Sequence, residues 1–204
     1  TLVVGITRDS SLFIPDGETE FFLNDKVIFM GSSTSLDILA RDIFQSNTKV
    51  KTAAIIGGGS VGLMLAQNLE KINIKTKIIE MDYKRCEYLT EHLKKSLVLY
   101  GDGTNIELLE QEDFGDSDVV ISVTNNDEKN LLCSLLTKQI GAKKVITRVS
   151  KSANIRLFEK VGIDVAISPK DASITEIRKN LIETDVDILA TVEGGQGRIL
   201  EAIV

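Results

Sequence analysis

Three observations predict an α/β fold with a doubly wound parallel sheet, flanked at both ends by partial α+β pieces. Six short apolar runs alternate with amphipathic helical patterns between residues 51 and 183. Short strand-like apolar runs alternating with amphipathic helices read as buried strands of a parallel sheet with helices on both faces. A glycine-rich turn joins the first run to the first helix of this series, the junction at which such sheets bind phosphates.

The elements follow in order. "TLVVGITRD" reads as a strand, "PDGE" (Pro15 to Glu18) as a turn, and "KVIFMG" as a second strand entered through Asn24-Asp25. In "SSTSLDILARDIF", hydroxyl residues stand at the N-cap and Leu36, Leu39 and Ile43 follow at helical spacing. Residues 45–50 are polar and read as a linker. The strand-like runs beyond it are "TAAIIG", "KTKIIEMD", "SLVLYGD", "SDVVISVT", "KKVITRV" and "DVAISP". Between and after them lie the helical patterns "SVGLMLAQNLEKI", "YKRCEYLTEHLKK", "NIELLEQEDF", "EKNLLCSLLTKQIG", "SANIRLFEKVG" and "ASITEIRKNLIE". Parallel strands joined this way require right-handed crossovers, which makes 51–183 one Rossmann-type domain. "VDILATVEGGQGRILEAIV" reads as two further strands around "EGGQG". The chain opens at Thr1 inside a strand-like run, so a piece of a longer protein is expected.

Bulk properties narrow the function. Of 204 residues, 43% are hydrophobic and 26% charged, the balance of an ordinary globular protein. No apolar run approaches the roughly 20 residues of a membrane span, and the start lacks a signal-peptide pattern. A net charge of −6 argues against nucleic acid as a partner. Cys86 and Cys133 lie in helical patterns and read as buried free thiols of a reducing compartment, hence a cytoplasmic location.

The turn is Gly57-x-Gly59-x-x-Gly62, between a strand and a helix. Gly57 permits the tight turn, Gly59 lets backbone approach a pyrophosphate, and Gly62 packs the helix close to the sheet. The helix start supplies N–H groups and a positive dipole end. The second strand of the series ends at Glu80, 23 residues beyond Gly57, where an acid would accept from a ribose 2′-hydroxyl. That carboxylate should repel the extra phosphate of NADP, so NAD(H) or an adenosine nucleotide is favoured; Lys84 and Arg85 would weaken the preference or remain solvated. No Lys-Ser/Thr follows the glycines, so a P-loop is not supported. In "YGDGT", Asp102 would accept from an adenine amino group, or Asp102 or Thr104 would cap a helix. Thr124 and Asn125 would sit above the nucleotide, with Asp127 and Glu128 capping and charging the next helix. Arg148 stands at the mouth of the same crevice, suited to a phosphate or an interface. Met81 and Gly103 complete the candidate set.

Catalytic machinery is not evident. Hydride transfer needs a proton donor or acceptor beside the substrate. The single histidine, His92, reads as an exposed helix residue. Glu87, His92 and Thr104 stand four residues beyond Tyr83, Tyr88 and Tyr100, so no Tyr-x-x-x-Lys pair occurs. No cluster shows metal-ligand spacing. A sensor is expected rather than an enzyme. A dehydrogenase whose catalytic half lies elsewhere, and a Rossmann assembly module that binds nothing, are the alternatives.

"IIGGGSVGLMLAQNL", "IIEMDYKRCEYL", "LVLYGDGTNIELLEQ", "DVVISVTNNDEKNLLCSLL" and "VITRV" together resemble the RCK (KTN) nucleotide-binding domains of potassium transport systems. Residues 1–44 are similar to the later part of that family's small C-terminal (TrkA-C-type) subdomain, through Arg8, Pro15-x-Gly17 and the Asn24-Asp25 turn. Residues 184–204 are similar to the start of a second such subdomain. The resemblance implies binding of NAD(H), with ATP or ADP as a second option, through Gly57, Gly59, Ser60, Val61, Gly62, Glu80, Asp102, Thr124 and Arg148. It further implies a regulatory subunit at the inner face of the cell membrane, partnered by a Trk-type integral membrane potassium translocator. Self-association into a ring is expected, from dimers of RCK domains to a tetramer of the full tandem chain. The family more usually has a small apolar residue where Gly103 stands and often Asp where Glu80 stands; Gly103 is expected to loosen its turn.

Overall fold

The structure, a computed structural model, describes residues 1–9, 11–43, 50–181, 186–192 and 197–202, with backbone alone at 175 and from 178 onward. The expected linker lies almost entirely outside these residues, as does most of the "EGGQG" turn. Two compact units are present, Lys49–Glu176 and a second made of Thr1–Thr48 with Ile177–Val204.

In the larger unit the alternation holds. Strands β4 (Thr52–Ile56), β5 (Lys75–Glu80), β6 (Leu97–Tyr100), β7 (Val119–Ser122), β8 (Val145–Arg148) and β9 (Val165–Ile167) form one sheet in the order β6-β5-β4-β7-β8-β9. Every pairing is parallel. Strand order therefore reverses direction between β4 and β7, the switch point that opens a crevice at the carboxyl ends of the strands. Connecting them are α2 (Ser60–Lys71), α3 (Tyr83–His92), α4 (Ile106–Gln111), α5 (Asp127–Gln139) and α6 (Ile155–Lys160), with α7 (Pro169–Leu181) after β9. A 3-10 turn, Ser152–Asn154, precedes α6.

Alternate residues of β4 explain the two helical layers. Ala53 and Ile55 face Ile78, Ala66, Leu89 and Leu93, so α2 and α3 cover that side. Ala54 and Ile56 face Ile79, Leu109, Phe114 and Cys133, so α4 and α5 cover the other. All four β4 residues are buried. Each fully buried isoleucine contributes about 1.5–3 kcal/mol relative to exposure, which is why a strand of five residues anchors the sheet. A polar seam crosses the α5 layer: the buried hydroxyls of Ser122 on β7, Ser134 on α5 and Thr147 on β8 form a hydrogen-bonded chain. Helix α7 starts at Pro169 rather than at the expected Ala172, because Ser168 accepts from Asp171 N–H and Pro suits the first helical position.

In the smaller unit, β1 (Leu2–Arg8) pairs antiparallel with both β2 (Ser11–Phe13) and β3 (Lys26–Met30), and α1 (Ser33–Asp42) is capped by Ser32. The reading of the sequence lacks β2, three residues long. Arg8 forks onto Asp25 at 2.9 and 2.7 Å and lies over the Phe22 ring, 4.2 Å from its centre. Asn24 takes φ +74° at the turn into β3. Strands β10 (Val186–Val192) and β11 (Gly197–Ala202) form an antiparallel hairpin, two strands as expected.

Candidate nucleotide-binding site

A crevice of about 350 Å³ opens at the switch point, lined from the ends of β4, β5, β6 and β7 and the first turn of α5. Eight of the expected residues line it: Gly57, Gly59, Glu80, Met81, Asp102, Gly103, Thr124 and Asn125.

The glycine turn separates into fold and opening. Gly57 takes φ +109°, and a Cβ there would meet Thr124 N at 3.0 Å. At Gly62 a Cβ would stand 2.0 Å from the Gly57 carbonyl oxygen. Gly58, absent from the sequence-derived set, is also crowded, since its Cβ would stand 2.4 Å from Cδ1 of the buried Leu89. These three glycines are demanded by packing. Gly59 is not: it takes an ordinary φ of −61°, and nothing lies within 4 Å of a Cβ there. It is the N-cap of α2, without a side chain to satisfy the helix start. Ser60, Val61 and Gly62 form the first turn beyond it, outside the crevice lining.

Glu80 and Arg85 hold the turn from its two sides. Glu80 Oε2 accepts from Gly58 N–H at 2.6 Å and Oε1 from Asp82 N–H at 2.9 Å. Arg85 Nε donates to the Gly58 carbonyl at 2.5 Å while its guanidinium lies over Tyr88, 4.6 Å from the ring centre. Arg85 is thus half-buried against the turn and does not line the crevice. Each Glu80 oxygen has a second lone pair, so a ribose hydroxyl can still be accepted.

Asp102 does not cap a helix. Its Oδ1 accepts from Thr104 N–H and Oγ1–H at 3.0 and 2.9 Å, and the N-cap of α4 is Asn105. The Thr104 bonds hold the Asp102 carboxyl below its ordinary range, with the charge of Lys129 assisting. Gly103 is buried, its Cβ position 2.4 Å from Ile56 Cγ2, so contact closes this turn rather than loosening it. Cys133 lies beneath, buried, its thiol pushed up to about 12 by desolvation. Cys86 is also a buried free thiol.

The far wall is organised by a residue missed in the sequence. Asn130 is fully buried; its Oδ1 accepts from Thr124 N–H and Oγ1–H at 2.8 and 2.7 Å, and its Nδ2 donates to the Thr124 and Arg148 carbonyls, both at 3.1 Å. Arg148 donates to Thr124 O and Asn125 Oδ1, at 3.2 and 2.9 Å, so it braces this loop from behind. The α5 cap is Asn126, which accepts from Lys129 N–H at 2.7 Å; Asp127 instead accepts from Ser150 N–H with both oxygens. Lys129 itself, also missed, lines the crevice. His92 is exposed and stacked on Tyr88 at 3.8 Å, and it does not line the crevice. Among the described residues no helix is long and apolar enough to cross a membrane.

A parallel sheet in this order, with a glycine turn opening onto its switch point, defines a Rossmann-type domain of the dinucleotide-binding class. Residues 53–169 match the family model for the TrkA-N domain, and the chain belongs to that family. It is 41% identical over 98% of its length to "Trk system potassium uptake protein TrkA homolog 2" of Methanosarcina mazei, covering 45% of that protein. It is 33% identical over its full length to "Trk system potassium uptake protein TrkA" of Halomonas elongata, covering 44% of it. The chain spans about half the length of the curated relatives it matches. Its fold is shared with a GsuK channel solved with NAD bound, at TM-score 0.55 and 16% identity, over 71% of this chain and 27% of that one.

Proposed function

We propose that the crevice binds NAD(H), with ADP or ATP as competing ligands, and that the chain is the sensing part of a non-enzymatic regulatory subunit of a potassium uptake system. Gly59 carries the reading. It is the one glycine of the motif that neither backbone angle nor packing requires, and it sits at an uncapped helix start facing the crevice. A side chain there would occupy the space through which a pyrophosphate reaches the N–H groups. Glu80 would take the ribose hydroxyl, Asp102 the adenine amino group through its free Oδ2, and Met81, Gly103, Thr124 and Asn125 the remaining surface. Ser60, Val61 and Gly62 would present backbone N–H groups, and Arg85 and Arg148 would hold the two walls.

The NAD-bound structure of a channel with this fold supports the ligand class, and the names of the curated relatives support potassium uptake. In this reading, residues 1–44 and 184–204 are parts of two TrkA-C-type subdomains around a 51–183 nucleotide domain. The whole subunit assembles as a ring on the cytoplasmic face of a Trk-type membrane translocator. A nucleotide that binds two ring shapes unequally shifts their populations by its differential affinity, and one with equal affinity shifts nothing.

Calorimetric titration of the chain with NADH, NAD, ADP, ATP and NADPH tests the first step, with Gly59→Asp as control. The expected result is selective binding, weakest for NADPH, and abolished by the substitution. Absence of binding by every nucleotide would reject the sensor and leave the assembly module.

A further inference from the structure

Three charged side chains line the crevice, and two of them, Glu80 and Asp102, are carboxylates. A nucleotide diphosphate entering there carries negative charge toward negative charge. The third is Lys129, which the protein leaves without an anionic hydrogen-bond partner among the described residues. Its Nζ donates to Met81 Sδ at 3.7 Å, and a thioether is a weak acceptor for a group with three donors. That contact spans the crevice, from the first turn of α5 to the end of β5. The backbone of Lys129 is fixed by the Asn126 cap, and Cys133, one helical turn further along, lies 3.5 Å from the Cβ position of Gly103. Lys129 thus lines the same crevice as Gly57, Gly59 and Asp102. Its charge favours the ionised form of Asp102. The floor below it is apolar, formed by Ile56, Ile79 and Val123, where a charge acts more strongly than in water.

We propose that Lys129 is the counter-charge that admits an anionic nucleotide past Glu80 and Asp102, and that it sets the preference of the crevice for ligands carrying more phosphate. This rests on the reading that the crevice binds an adenine nucleotide. The ligand class is one whose affinity rises from adenosine through AMP to ADP. A unit charge about 6 Å from a phosphate, at an effective dielectric near 40, changes affinity roughly tenfold for each phosphate charge it meets. The neutral nucleoside gains nothing from it.

The test is competition against NADH fluorescence by adenosine, AMP and ADP, on the 204-residue chain. The variants are wild type, Lys129→Met and Lys129→Arg, each at about 0.05 and 0.3 M salt so that screening differs. Lys129→Met should weaken ADP by more than about tenfold, AMP by less and adenosine not at all, and should flatten the salt dependence of ADP binding. Lys129→Arg should retain the ladder. The methionine keeps the stem and leaves the Asn126 cap intact, so the melting temperature should hold. Equal losses for adenosine and ADP would reduce Lys129 to packing, and no loss for either would show that its charge is not felt; both overturn the inference alone. A wild-type chain that binds no nucleotide would overturn the crevice reading itself, and the inference with it.

Discussion

An alanine at position 62 should unfold the larger unit more easily, whereas an alanine at 59 should not, although both replace a glycine of one motif. The added Cβ at 62 meets the Gly57 carbonyl oxygen at 2.0 Å. Comfortable contact begins near about 3.5 Å, so the turn and the helix must part by roughly 1.5 Å. Both partners are backbone, and no rotamer relieves the overlap. Separation lifts α2 from the face where Leu63, Ala66 and Leu69 pack with Ile55 and Ile78. Overpacking of this kind costs about 1–3 kcal/mol, and the rigid case belongs at the upper end. Replacing a helical glycine returns about 1 kcal/mol, leaving roughly 2 kcal/mol of destabilisation. For the unit Lys49–Glu176 that is a fall of about 6–10 °C in melting temperature. Gly59→Ala meets nothing within 4 Å and loses only the N-cap preference of glycine over alanine, about 0.5 kcal/mol or roughly 2 °C. Circular dichroism melts of the two variants beside wild type decide it, with NADH titration of Gly59→Ala expected to show weakened binding. A Gly62→Ala melt within 2 °C of wild type, or a Gly59→Ala melt that falls as far, would refute the division of the motif into fold and opening.

Other outcomes follow from the same contacts. Asn130→Leu strands Thr124 N–H and the Arg148 carbonyl, two part-buried groups that each lose about 1 kcal/mol, so the urea midpoint should fall by the equivalent of about 2 kcal/mol. The Asp118 carboxyl is held well below its ordinary range, first by the Lys143 ammonium and then by the N–H groups of Lys51 and Thr52. Its folded pKa therefore lies below its unfolded one, and its stabilisation is complete above about pH 4 and lost as pH falls toward the depressed value. Melting temperature against pH should thus drop more gently in Asp118→Asn than in wild type across that acid range, and parallel curves would count against it. The Cys133 thiol, buried and raised to about 12, should resist alkylation at pH 8 in the folded chain and react once urea unfolds it. Mass spectrometry reading rapid modification of native Cys133 would show that the crevice floor opens.

The sequence carried most of the fold because the central strands β4 and β7 are buried on both faces and their apolar runs are unbroken, as in Ala53–Ile56. What it concealed depends on partners distant along the chain. Strand β2 has three residues, too few to show a period, and exists only by pairing with β1. Gly58 looks dispensable until Leu89, 31 residues away, is placed against it. The caps were misjudged by one to three residues, Asn105 for Asp102 or Thr104 and Asn126 for Asp127, because several adjacent Asx and hydroxyl residues compete for each helix start. Asp127 lost that competition to a bond with Ser150, which only the docking of β8 supplies. The crevice set was legible wherever a motif named it. Lys129 and Asn130 were not, since one lysine and one asparagine in "NNDEKN" announce nothing until α5 is rotated onto the sheet.

The hydroxyl chain through Ser122, Ser134 and Thr147 bears on how force travels through that helix. Aliphatic side chains pressed together let a helix slide by small steps with little resistance, because dispersion has no direction. Hydrogen bonds have one. Two strands and a helix fastened by such bonds make a single stiff member, with Lys129 and Asn130 near one tip and β7 and β8 along its flank. A push at that tip is transmitted as from the end of a lever, not absorbed as in a cushion.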